Sequence, residues 1–258
     1  MTRIIFFDFD GTIYSHSTYC FPQSTVQAFN ELKQKDVITC LCTGRCKYEV
    51  DQYFDMPMSF DYYIYTNGQL ILDKDDNIIY HLPMFGEDKE NLLKIFNEKI
   101  MPLVICEKND YYINYVNEVV EYVTNGVSSP VPPIKPYSGN EFYMVSIFPG
   151  KCEELIQLTK DMTPNCHLEV WNDYGYDVVS NSCDKAKAIA ELIKILDIPQ
   201  NETMAFGDGE NDIPMIKFAQ NGVVMGNGKD EVKQCGDYVC DHIDNDGLYK
   251  ALKHFEII

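Results

Sequence analysis

Basic residues are scarce in this chain: 21 Lys and Arg stand against 40 Asp and Glu, for a formal net charge of −19 over 258 residues. Phosphate backbones and anionic lipid surfaces would be repelled rather than neutralised, which argues against nucleic acid and membranes as partners. An anionic substrate would need local rescue by a metal ion or a lysine. Long apolar runs are missing as well. No stretch approaches the roughly eighteen residues of a membrane-crossing helix, and the N-terminus enters a strand without signal-peptide architecture. A cytoplasmic chain is expected. The ten cysteines include no CxxC pair. Cys40 and Cys42 sit inside the apolar run Val37–Cys42 with Cys46 nearby, and they read as small buried hydrophobes with reduced thiols rather than as zinc ligands or a disulfide framework. His16, His81 and His167 have no partners at metal-site spacing, so satisfied surface or core histidines are expected.

What is present is a core. At 45% apolar residues the chain can bury one large α/β domain, or a core with a smaller inserted domain. Its first strand, Arg3 to Thr12, is an apolar run that ends in Asp8 and Asp10. Such a run reads as the buried centre of a parallel sheet. If the strand continues, its period of two sends both carboxylates to one side, at the strand end where open α/β sheets bind ligands. An ordinary acidic Gly turn is the other reading of Asp-Gly-Thr.

A helix opening at Pro22-Gln23-Ser24 and a strand over Val37–Cys42 follow. A right-handed crossover then brings Thr43-Gly44-Arg45 to the same sheet edge as Asp8. A hydroxyl and a backbone amide beside a glycine suit a phosphate oxygen. Residues 45–54 read as a helix, 61–65 as a core strand, and 70–72 and 78–82 as the arms of a hairpin. Asn67 before that hairpin either reaches the active edge or serves the turn.

From 83 to 181 the character changes. A helix over 87–99, tyrosine-rich strands near 111–115, a proline-rich connection at 130–136, a strand at 141–148, a helix at 151–161 and strands at 167–171 and 176–179 suit an inserted α/β unit. Its aromatic set, Tyr111, Tyr112, Tyr115, Trp171, Tyr174 and Tyr176, is expected mostly to pack the sheet against its helices, with stacking on a sugar ring as the alternative. The core resumes with a helix carrying Lys185 and Lys187 in its first turn, against the helix dipole, so an anion should lie close. A strand over 203–206 then delivers Gly207-Asp208-Gly209-Glu210-Asn211-Asp212, oxygen donors that suit a hard cation.

Taken in order, Asp8-Phe9-Asp10-Gly11-Thr12, Thr43, Lys185 and Gly207-Asp208-x-x-Asn211-Asp212 resemble motifs I to IV of the haloacid dehalogenase superfamily of phosphotransferases. In motif III the usual Lys-Gly-x-Ala-Leu is altered, with Ala186 for Gly and Ile189 for Leu, and Lys187 is the competing assignment. Asn67-Gly68, Gly222–Asn227 and Asp246-Gly247-Leu248 resemble the Cof-type branch. The resemblance implies a Rossmann-like core with a central parallel sheet over 1–82 and 182–258, and an α/β cap over 83–181. It implies Asp8 as nucleophile and Asp10 as general acid and base. Phe9, Thr43, Gly44, Lys185 and Asn211 would bind phosphate, with Arg45 and Asn67 as further substrate contacts. A Mg2+ ion would be held by the side chains of Asp8 and Asp208, the carbonyl of Asp10, and Asp212 directly or through water. The ion has an electrostatic reason: like unit charges about 4 Å apart repel by on the order of 4 kcal/mol at an effective dielectric of 20. The implied activity is a Mg2+-dependent phosphatase for a small phosphorylated metabolite, a sugar phosphate foremost. A phosphomannomutase-like phosphomutase and a non-catalytic phosphometabolite-binding protein are the alternatives; oligomeric state is not legible.

Overall fold

The computed structural model describes residues 2–126 and 130–258. They fall into two compact units: one takes in the residues up to Gly44, Met56–Tyr80 and Asp184–Ile258, the other Arg45–Asp55 and His81–Cys183. The chain opens with β1 (Ile4–Phe7), α1 (Gln23–Leu32), β2 (Ile38–Cys42), α2 (Lys47–Tyr53), β3 (Tyr62–Tyr65), β4 (Leu70–Asp73) and β5 (Ile78–His81). Every residue of β1 is buried, as its unbroken apolar run requires of a strand covered on both faces.

The second unit is an antiparallel sheet of β6 (Leu103–Glu107), β7 (Tyr111–Ile113), β8 (Phe142–Ile147), β9 (Cys166–Asn172) and β10 (Gly175–Ser180), in the order β7-β6-β8-β10-β9. Its helices are α2, α3 (Gly86–Asn97), α4 (Glu118–Gly126) and α5 (Glu153–Met162). Leu103 and Ile105 of β6 join a cluster with Leu92, Ile95 and Phe96 of α3 and Leu155 of α5, while Val104 and Cys106 join Val120 and Val123 of α4. That is the period of two of a strand covered on both sides. Tyr111, Tyr112, Tyr174 and Tyr176 all belong to these clusters. Trp171 keeps 40% of its surface exposed. Residues 45–55 differ from the expected division at 82/83, which placed them with the first unit. Tyr48 and Tyr53 pack with Tyr111, Val104 and Cys106, so α2 finds its apolar partners in the second unit.

The chain returns through α6 (Lys185–Ile195), β11 (Thr203–Gly207), α7 (Ile213–Phe218), β12 (Asn221–Val224), α8 (Asp230–Lys233), β13 (Tyr238–Val239) and α9 (Gly247–His254). The first unit's sheet has the order β13-β12-β11-β1-β2-β3-β4-β5. It is parallel from β13 through β3, and β4 turns back antiparallel. Ile4 and Phe6 meet Ile189, Leu192 and Ile193 of α6, whereas Phe7 lies 4.8 Å from the Phe29 ring of α1. Helices thus cover both faces, and the strands read as apolar runs for that reason. All ten cysteines are free, and Cys40, Cys42 and Cys46 are fully buried among apolar neighbours. No helix among the described residues is long and apolar enough to cross a membrane.

Candidate active site

Four adjacent parallel strands end on one edge of the first unit's sheet, and each end carries a residue singled out from the sequence. Asp8 follows β1, Thr43 follows β2, Asp208 follows β11, and Asn67 lies in the turn after β3. The right-handed crossover places them there, since parallel strands share one carboxyl edge. Asp8 N–H still donates to the Phe206 carbonyl at 2.9 Å, so its carboxylate leaves the sheet at the last ladder bond.

Lys185, the first residue of α6, reaches this edge with 1% of its side chain exposed. Its ammonium donates to Asp8 Oδ1 and to Asp212 Oδ1, each at 2.6 Å. Lys187 is half exposed and faces Asp184 at 3.6 Å, so Lys185 is the lysine that meets the nucleophile candidate. Burial works against the charge of Lys185, but Asp212 and Asp8 outweigh it and raise its pKa well above that of an ordinary lysine. Asp212 is fully buried, and its Oδ2 accepts from the N–H groups of Asp208 and Gly209 at 2.9 Å each. One carboxylate therefore shapes the 207–212 loop and anchors the lysine.

Asp208 lies directly over Gly11. A Cβ at Gly11 would stand 2.2 Å from Asp208 Oδ2, and Gly11 has φ +77°, a left-handed conformation that favours glycine. Gly11→Ala should therefore abolish measurable turnover and lower the thermal midpoint. An active, equally stable G11A enzyme would show that the close approach is dispensable.

One carboxylate oxygen from each of Asp8, Asp208 and Asp212 lies within 4.8 Å of the others. Burial, then Asp212, pushes the Asp8 carboxyl well above the usual range, with Lys185 pulling the other way. Burial, then Asp212, pushes Asp208 up to about 7. Converging hard oxygen donors that resist ionisation without a counter-charge fit a divalent cation, which would hold them ionised.

The other expected residues divide. Thr43 is buried, and its carbonyl accepts from Asn67 N–H at 3.1 Å. Asn67 adopts the left-handed turn conformation at φ 53°, and its Oδ1 accepts from Asn211 Nδ2 at 3.2 Å. A Cβ on Gly44 would lie 3.0 Å from that same Oδ1. Phe9 is fully buried between Tyr14 and Phe21, so only its backbone is available to a ligand. Arg45 belongs to the second unit, where it faces Glu49 at 3.6 Å and lies over the Phe54 ring at 4.8 Å.

Asp10 lies 2.8 Å from His16 Nε2, a partner the sequence reading treated as isolated. Thr12 Oγ1 donates to Asp208 Oδ1 at 3.4 Å, and Asn227 Nδ2 to Asp208 Oδ2 at 3.1 Å. Asp10 and Thr12 lie in the Asp8–Thr12 motif and Asn227 in the Gly222–Asn227 stretch, whereas His16 carries no sequence signal.

Comparison with known proteins gives this geometry a family. YkrA of Bacillus subtilis (strain 168) is 28% identical over 262 residues, covering 100% of this chain and 99% of that protein. Two solved structures superpose closely. BT1666 from Bacteroides thetaiotaomicron, described among phosphatases of the haloalkanoate (HAD) enzyme superfamily, has a TM-score of 0.88 at 28% identity, covering 100% of this chain and 96% of its own. The HAD subclass IIB sugar phosphatase BT4131 has a TM-score of 0.83 at 31% identity, over the full length of both chains. The family model described as haloacid dehalogenase-like hydrolase matches residues 5–252, and with Asp8, Lys185, Asp208 and Asp212 gathered on one sheet edge, the chain belongs to the haloacid dehalogenase-like hydrolases, in their Cof-type branch.

Proposed function

We propose that this phosphoric monoester hydrolase is Mg2+-dependent and releases phosphate from a small phosphorylated metabolite, a sugar phosphate, through an aspartyl phosphate on Asp8. The observation that carries the reading is the buried Lys185 ammonium at 2.6 Å from both Asp8 and Asp212, beside Asp208. A lysine placed there works against burial in favour of the ionised form of Asp8 and offers its remaining N–H to a phosphate oxygen. The sugar assignment is supported by BT4131, a sugar phosphatase 31% identical over the whole chain.

Asp8 attacks phosphorus in line and expels the alcohol, dividing one hard displacement into two. Asp10, one carboxylate oxygen held by His16, gives a proton to the leaving oxygen and then takes one from the attacking water. Thr43, Lys185, Asn211 and the backbone of Phe9 and Gly44 hold the equatorial oxygens, where charge is spread. Asp8 and Asp208 would bind Mg2+ by side chain and Asp10 by its carbonyl. Asp212 would act through water, because its oxygens already serve Lys185 and two backbone N–H groups. When bound, the ion supplies charge neutralisation for the crowded carboxylates and the phosphate.

A screen of phosphorylated sugars, nucleotides and cofactors, scored by phosphate released, should give the highest kcat/KM among the sugar phosphates. Excess chelator should lower turnover by at least about 100-fold, the kinetic equivalent of a few kcal/mol of charge stabilisation. Full activity in chelator would remove the metal dependence. An isomerised phosphosugar in place of free phosphate would overturn hydrolysis as the reaction.

A further inference from the structure

The loop Gly226-Asn227-Gly228, between β12 and α8, is wedged between two backbones. A Cβ at Gly226 would fall 2.6 Å from the amide nitrogen of His242, and one at Gly228 would fall 3.0 Å from the carbonyl oxygen of Asp208. Glycine on both sides lets the loop come this close, and it fixes the residue between them. The Asn227 amide is then fully used. Nδ2 donates to the Gly11 carbonyl at 2.7 Å and to Asp208 Oδ2 at 3.1 Å, while Oδ1 accepts from Ile243 N–H at 3.0 Å. The partners leave no choice of amide orientation, since a carbonyl and a carboxylate can only accept and a backbone N–H can only donate.

We propose that Asn227 is a positioning residue for the cation: its amide holds the Asp208 carboxylate and the backbone around Gly11 in the arrangement that binds metal. The inference rests on the metal reading above. Gly11 N–H donates to the Tyr14 carbonyl at 2.9 Å, and the Gly11 carbonyl is held by Asn227. Both peptide planes flanking Gly11 are thereby pinned, and the first of them carries the Asp10 carbonyl. Asn227 thus holds one group assigned to the ion directly, and holds the peptide plane next to the one that carries the other. Thr12 Oγ1, at 3.4 Å from the other Asp208 oxygen, is too long to do so alone. Aspartate at 227 would lack the donors and set carboxylate against carboxylate; leucine keeps the volume and loses every hydrogen bond.

Outer partners of metal ligands typically account for about 10–100-fold in metal affinity. The test is Mn2+ binding to the purified full-length chain without substrate, read as free Mn2+ by electron paramagnetic resonance, for wild type, Asn227→Leu and Asn227→Ser. The Mn2+ dissociation constant should rise by about 10–100-fold in both variants, more than kcat falls at saturating metal. A purely structural role would lower the thermal midpoint and leave that constant in place. A folded variant binding Mn2+ within twofold of wild type overturns the proposal. If the leucine variant fails to fold, the serine variant, smaller and still polar, decides it. A wild-type chain that binds no Mn2+ would instead defeat the metal reading and leave the role of Asn227 without a subject.

Discussion

Asp8→Asn should be folded and inert. Asparagine matches the carboxylate in shape, and its Oδ1 can still accept from Lys185, which keeps Asp212 as its charged partner at 2.6 Å. The substitution also removes one of several carboxylates crowded in a buried space, where burial and Asp212 already oppose ionisation of Asp8. The thermal midpoint should move by less than about 4 °C, corresponding to roughly 1 kcal/mol in a chain of this size. Turnover of a chromogenic phosphate ester with Mg2+ should fall on the order of 10⁴-fold or more, the scale of losing a nucleophile from a set that acts as a unit. Ordinary turnover in a folded D8N enzyme would end the nucleophile assignment.

The second large effect is on stability. Lys185→Met leaves Asp8 and Asp212 facing each other without their cation, in a place where the three side chains are 1 to 7% exposed. Breaking a buried ion pair by removing one partner costs about 3–5 kcal/mol, because the remaining charge is neither solvated nor paired. For a chain of this length that is a fall of roughly 6–20 °C in the thermal midpoint. Mg2+ should return part of the loss, since a ligand that binds only the folded chain stabilises it by mass action. Activity should be lost with it. Lys187→Met is the control: its pair with Asp184 is half exposed at 3.6 Å, and such pairs contribute under about 1 kcal/mol. Equal stability of K185M and K187M would show that the buried ion pairs do not hold this edge together.

The contrast between these two lysines also shows what could be read from sequence. Two residues apart on a helix point about 200° apart, so only one can face the sheet edge, but the spacing does not say which. The four strand ends were legible because an apolar run that stops at a carboxylate or a Thr-Gly, followed by a helix and another such run, leaves few topologies open. Helix α2 was legible as a helix and not as part of the second unit. Tyr48 and Tyr53 announce an apolar face, and what they pack against is decided by residues 104–111. Strand β6 was missed between a helix and a tyrosine-rich strand, although its five residues are all buried. Asn67 reads as either a turn residue or a contact at the active edge because it takes the left-handed turn conformation while its amide meets Asn211. Asn227 has partners 216 and 19 residues away, and no local pattern records such contacts. His16 was passed over for a related reason: six residues from Asp10, it meets that carboxylate only because the loop between them doubles back through the Asp10–Tyr14 bridge.

The central claim is that an Asp8 oxygen takes the phosphoryl group before water does. Each in-line displacement inverts configuration at phosphorus, so a path through an aspartyl phosphate makes two inversions and a direct attack by water makes one. The deciding measurement is the hydrolysis of a phosphate monoester made chiral with oxygen isotopes, in isotopically distinct water, with the product's configuration determined. Net retention is the predicted result. Net inversion would contradict the account, because it would mean that water reaches phosphorus without Asp8 ever having held it.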